Sequence, residues 1–95
     1  MQFLILATDY TDAEALNRRL AVREEHLARV RPFKQSGHFI VGGAKLTDED
    51  KMFGSMLIID FPTIEEANAW LADDPYVKGK VWEKYEVIPF RIANV

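Results

Sequence analysis

Four apolar runs of strand length, separated by two helical patterns, constrain this chain more than any single motif does. Gln2-Phe3-Leu4-Ile5-Leu6-Ala7-Thr8 is short and almost continuously apolar, which reads as a buried strand. Asp9-Tyr10-Thr11-Asp12 offers a helix start, with Thr11 or Asp12 free to cap amides and Glu14 in the first turn, where negative charge suits the helix dipole. The helical pattern continues to about Lys34; Pro32 is expected to end or kink its last turn, and Ser36-Gly37 to close it. His38 to Ala44 reads as a second strand ending in glycines, followed by the polar loop Leu46 to Lys51. Met52 to Phe61 is a third strand, stopped by Pro62. Thr63-Ile64-Glu65-Glu66 matches a capping box and opens a helix that runs through Ala72. Asp73-Asp74-Pro75-Tyr76 is a turn, because a residue before proline avoids the helical region. Val81 to Ile92 is a fourth strand, and Pro89 inside it calls for an edge or a bulge.

The resulting order, β-α-β-β-α-β, is the split βαβ of an α+β, ferredoxin-like domain. Ninety-five residues support one domain, spanning 1–95, with a single modest core. Apolar residues at 48% and charged residues at 28% exclude a disordered chain. With a net charge of −3, nucleic acid and anionic membranes are poor partners. The absence of cysteine excludes a disulfide framework, a thiolate nucleophile and a cysteine metal site. Met1 leads straight into a strand-like run, without the pattern of a signal peptide, and no apolar run approaches the ~18 residues of a membrane span. A cytoplasmic protein is expected.

The third strand bears on assembly. Phe53-Gly54-Ser55-Met56-Leu57-Ile58-Ile59 is apolar on both pleat faces, whereas two helices cover one face of a four-stranded sheet. A homodimer with sheets packed face to face is expected, each subunit keeping a cleft between sheet and helix.

The first helix carries the chemistry-bearing pattern. Arg19, Arg23 and His26 stand at i, i+4 and i+7, one above another on one face. Two guanidiniums and a titrating imidazole suit an anion-binding, proton-moving surface. Leu16, Leu20, Leu27 and Val30 form a neighbouring apolar stripe, expected to face the core. His26 is either a surface histidine or an acid–base group that a carboxylate keeps basic. Asp74, held in the turn after the second helix, is the natural carboxylate; alternatively it only satisfies local turn amides. Ser55 either donates a hydrogen bond to a ligand or packs at a crowded contact, and Gly54 before it permits a close approach to the backbone.

Other features point away from common sites. His38 begins a strand. No zinc-binding helix pattern includes either histidine, so no metal is expected. Gly42-Gly43 is not a phosphate loop, and Asp48-Glu49-Asp50 lacks the spacing of a calcium loop. Trp70, Trp82, Phe61 and Phe90 read as core rather than as a base-stacking platform.

Arg19-Leu20-x-Val22-Arg23-x-x-His26-Leu27, Phe53-Gly54-Ser55, Asp73-Asp74-Pro75-Tyr76-Val77 and the closing Pro89-Phe90 together resemble the YCII (YciI-like) family over nearly the whole chain. The resemblance implies a dimeric α+β barrel and an active site built on a His–Asp pair, here His26 and Asp74. It further implies cofactor-free dehydrochlorination of a chlorinated hydroxyhydroquinone, the activity characterised in that family. Gly42-Gly43-Ala44 departs from the Ala-Gly-Pro type turn of many members, and the loop after it is shorter. The expected function is a cofactor-independent lyase acting on a small aromatic or enolisable anion. His26 and Asp74 would be catalytic, and Arg19, Arg23 and Ser55 would bind substrate. A non-catalytic ligand-binding or regulatory dimer is the alternative. Another cofactor-free reaction of related barrels, lactone isomerisation or quinol oxygenation, is a third reading.

Overall fold

The computed structural model describes residues 1–95. Its elements are β1 (Gln2–Asp9), α1 (Ala15–Gln35), β2 (Phe39–Leu46), β3 (Met52–Asp60), α2 (Ile64–Ala72), α3 (Pro75–Lys78) and β4 (Trp82–Phe90). The strands form one antiparallel sheet in the order β2-β3-β1-β4, the arrangement of a ferredoxin-like fold. No helix is long and apolar enough to cross a membrane.

The helices cover one sheet face. Along β1 every second residue is buried, so Phe3, Ile5, Ala7 and Asp9 face the helices. Leu57 and Ile59 of β3 lie on the same face, opposite Ile5 and Phe3. α2 contributes Ala67, Trp70 and Leu71, spaced as one helical face. Its start is the expected capping box, with Thr63 Oγ1 accepting from the Glu66 amide at 3.2 Å. Leu4, Leu6, Met56, Ile58 and Ile88 occupy the opposite sheet face, which no element of the chain covers.

Several expectations need correction. α1 begins at Ala15, not at Thr11 or Asp12, and no side chain caps it. Asp12 instead accepts from the Glu14 amide and both terminal nitrogens of Arg18, ordering the loop before the helix. Pro32 does not end the helix, because in the last turn it removes one hydrogen bond while the chain continues to Gln35. The apolar stripe expected to face the core does not do so as a unit: Leu16 and Leu20 are exposed by 37% and 51%, and the buried residues of α1 are Ala15, Arg19, His26 and Val30. Gly42-Gly43 lies within β2, which runs on to Leu46. Asp73 to Tyr76 is more than a turn, since Asp74 caps the short helix α3. Phe90 is 39% exposed, while Trp70, Trp82 and Phe61 are core.

Pro89 lies on β4, an edge strand, where its missing N–H costs the ladder little. The irregularity in that strand falls at its other end. Thr8 pairs with Lys84 but Asp9 pairs with Trp82, so Glu83 is an extra, bulged residue. The bulge keeps both Asp9 and Trp82 on the helix-covered face.

Candidate active site

Asp9, at the end of β1, is 5% exposed, and Arg19, from the second turn of α1, is 3% exposed. Arg19 Nη1 donates to both Asp9 oxygens at 3.0 and 3.1 Å, and its Nη2 donates to Ser55 Oγ on β3 at 2.9 Å. The Trp82 indole N–H donates to the same oxygen at 3.1 Å. Ser55 Oγ thus accepts twice, which leaves its proton available for a ligand. Burial pushes the Asp9 carboxyl above its usual value, although Arg19 and Lys45 act in the opposite direction.

Two turns further along α1, His26 Nδ1 lies 2.8 and 3.0 Å from the oxygens of Asp74, which is fully buried. A carboxylate in that place makes Nδ1 the protonated nitrogen and leaves Nε2 without a protein partner. Asp74 also accepts from the Tyr76 amide at 2.9 Å and from Arg29 Nη1 at 3.1 Å. Arg29 is anchored in turn: it donates to the Trp70 carbonyl at 2.5 Å and lies 4.5 Å from the centre of the Trp70 indole. The Tyr76 ring stacks on His26 at 4.1 Å, tilted by 14°.

These groups border a cavity of about 150 Å³ between α1 and the sheet, lined among others by Arg19, Arg23, His26, Ser55 and Tyr76. A larger open depression of about 480 Å³ lies at the chain ends, against Met1, Gln2 and residues 89–91, away from the His–Asp pair. Gly42 keeps the cavity open, because a Cβ there would stand 2.6 Å from Leu57 Cδ2 and 2.7 Å from Phe39 Cζ. Charge in the site is arranged in pairs, Asp9 with Arg19 and Asp74 with Arg29. Arg23, exposed at the rim, has no carboxylate partner, so the cavity carries surplus positive charge. The arrangement can exchange a proton at His26 Nε2 and donate hydrogen bonds to an anionic oxygen beside it.

The structure brings all five sequence-derived candidates, His26, Asp74, Arg19, Arg23 and Ser55, to one cavity wall or its immediate support. Arg19 differs from its expected part: its guanidinium is committed to Asp9 and Ser55 rather than free in the cavity. Gly54 does not admit a ligand. A Cβ there would collide with the Ala7 carbonyl and with the Lys45 side chain, which crosses the sheet at that point. His38 is structural, with Nδ1 2.7 Å from the Asp60 carbonyl oxygen and its ring stacked on Phe61. The site also draws on Asp9, Arg29, Tyr76 and Trp82, which are not among those five candidates. Arg29 had a usable signal, standing at i+3 from His26. Asp9, Tyr76 and Trp82 had none outside the fold.

Sheet order, helix-covered face and a buried His–Asp pair beside a cavity define a small α+β domain of ferredoxin-like architecture. Residues 1–91 match the YCII-related domain, and the chain belongs to that family. It is 34% identical to protein YciI of Escherichia coli O6:H1, covering 96% of this chain and 97% of that one. An uncharacterised protein of Haemophilus influenzae is 33% identical over the same shares. Among solved structures, 5-chloro-2-hydroxyhydroquinone dehydrochlorinase (TftG) from Burkholderia phenoliruptrix AC1100, in complex with 2,5-dihydroxybenzoquinone, superposes with a TM-score of 0.83. That similarity comes at 28% identity and covers 98% of this chain and 96% of the other.

Proposed function

We propose that this protein is a cofactor-independent lyase that removes HCl from a chlorinated hydroxyhydroquinone or a closely related enolisable anion. One observation carries the reading: a histidine whose Nδ1 is fixed by a buried carboxylate, with Nε2 unpartnered on a cavity of surplus positive charge. The likeness to a dehydrochlorinase over nearly the whole chain supports it.

In this scheme His26 Nε2 takes a phenolic proton and returns it to the ring carbon that bears chlorine, giving the keto tautomer. Removal of a second phenolic proton drives an electron pair into the ring, the C–Cl bond breaks, and chloride leaves with its bonding pair. The balance is loss of HCl to give a quinone, with no external oxidant. Asp74 holds the imidazole in the required tautomer and stabilises its protonated form, the part an aspartate plays in a hydrolase triad. Arg29 pairs with Asp74 and holds it in place. Ser55 donates to a ring oxygen, held for that purpose by Arg19 and Trp82, and Arg23 attracts the anion at the rim.

The working molecule in this reading is a homodimer joined through the uncovered sheet face. Leu4, Leu6, Met56, Ile58 and Ile88 form a continuous apolar surface there, which a second copy would bury.

The deciding experiment follows chloride release and quinone formation from 5-chloro-2-hydroxyhydroquinone. The parent is expected to exceed the spontaneous rate, and His26→Ala to lose about 100-fold or more. Equal rates for the two proteins would end the lyase reading and return the cavity to a binding or regulatory role.

A further inference from the structure

Tyr76 has no part in the scheme above except as a stacking partner, yet it is among the most constrained side chains in the molecule. It is 2% exposed. Its ring lies nearly parallel to His26 at 4.1 Å, has the Arg19 guanidinium 4.7 Å from its centre, and meets the Trp82 ring at 5.8 Å. Its hydroxyl is different. Asp9, Asp74 and Ser55 all have their oxygens engaged by protein donors, whereas the Tyr76 hydroxyl makes no hydrogen bond to any protein group. The ring lines the cavity, and the positive charges of Arg19 and Arg23 act on the hydroxyl. With no protein partner and not sealed from solvent, the hydroxyl is left to water, which a ligand oxygen entering the cavity would replace.

We infer that Tyr76 is a substrate-contacting residue whose hydroxyl donates to an oxygen of the bound ligand, alongside the Ser55 hydroxyl. The inference rests on the reading of the cavity as a substrate site. It names the ligand class more closely: a small planar molecule that presents two oxygen acceptors to Ser55 and Tyr76 and one acidic hydrogen to His26 Nε2. Burial raises the Tyr76 phenol further above neutrality, more than the two arginines lower it. The group therefore donates without ionising, which suits a contact to an oxygen that gains negative charge. Packing against His26 and Arg19 leaves the hydroxyl little freedom to turn elsewhere, so the donor is fixed before the ligand arrives.

Tyr76→Phe tests this, since it removes the oxygen and keeps the ring stacked on His26. Calorimetry would measure binding of 2,5-dihydroxybenzoquinone and, as a second probe, 4-nitrophenolate, with thermal unfolding followed in parallel. The inference expects an unchanged unfolding temperature and a Kd for the quinone weakened by about 10- to 100-fold, the loss of one hydrogen bond to a charged acceptor. Equal affinity of parent and variant for both probes, or no binding of either probe by the parent, would overturn it. A parent that binds the quinone but releases no chloride from 5-chloro-2-hydroxyhydroquinone would defeat the lyase reading alone, and the Tyr76 contact is still decided by affinity. Should Phe at 76 prevent folding, parent protein labelled with 3-fluorotyrosine decides instead. Its Tyr76 fluorine resonance, assigned with Tyr10→Phe and Tyr85→Phe, must shift on quinone binding, and an unmoved resonance overturns the contact.

Discussion

Asp74 joins three functions in one carboxylate. It caps α3, fixes His26 and neutralises Arg29, while being wholly shielded from solvent. Removing it strips the buried His26 ring and the half-buried Arg29 guanidinium of their shared carboxylate and α3 of its cap, so Asp74→Ala is expected to cost about 3 kcal/mol, read from urea unfolding. Asp74→Asn should cost clearly less, because asparagine caps a helix as well as aspartate does. It should still lose turnover, because an amide oxygen stabilises protonated His26 far less than a carboxylate does. A variant pair that falls equally in stability and activity would mean that Asp74 is structural only. At this scale the sequence exposes a residue when its type is out of place locally: His26 between two arginines, or Asp74 before a proline. Asp9 resembled a helix-start residue and Tyr76 a turn residue, and nothing nearby distinguishes them. Their roles come from Arg19 and His26, which are distant in sequence in one case and on another element in both.

The loop between β1 and α1 owes its order to one ion pair at the element scale. Arg18 holds Asp12 through two bonds of 2.8 Å and reaches the Lys80 carbonyl at 3.0 Å, tying this loop to the one before β4. Hydrogen bonds from Arg18 hold the Asp12 carboxyl well below its usual range, at about 2. A depressed carboxyl stabilises the fold above its unfolded value of 3.8 and loses that contribution as pH falls towards 2. The stability difference between the parent and Asp12→Asn should therefore be present at neutral pH, shrink as pH falls through about 4 and be lost only below about pH 2, as followed by thermal unfolding. A pH-independent difference would contradict the pairing. Element order, the capping box and the edge placement of Pro89 were all legible from periodicity and local rules. The orientation of α1 was not, because periodicity counts apolar residues, whereas this helix buries Arg19 and His26 against carboxylates supplied by β1 and by the residue before α3. The bulge at Glu83 was equally hidden: two successive polar residues, Glu83 and Lys84, simply interrupt the alternation.

For the whole molecule, the uncovered sheet face is where the proposed dimer would form. Placing a charge at its centre, with Ile58→Glu, is expected to convert a micromolar dimer into a monomer in sedimentation and to lower the unfolding temperature by several degrees. A parent that already sediments as a monomer would remove the dimer from the picture. That face is visible in the sequence because β3 is apolar on both sides; what would cover it is not, because one chain carries no record of a second. The same compactness gives the protein a property of another kind. Its two tryptophans sit at opposite ends of the polar network, Trp82 donating to Ser55 and Trp70 lying beneath Arg29. Indole emission shifts with what its N–H and ring face meet. Trp82 should therefore change colour when a ligand accepts from the Ser55 hydroxyl that its N–H holds, and Trp70 when the charge on Asp74 is disturbed. Trp70→Phe would leave a single natural lamp at the cavity, able to report occupancy without any added dye.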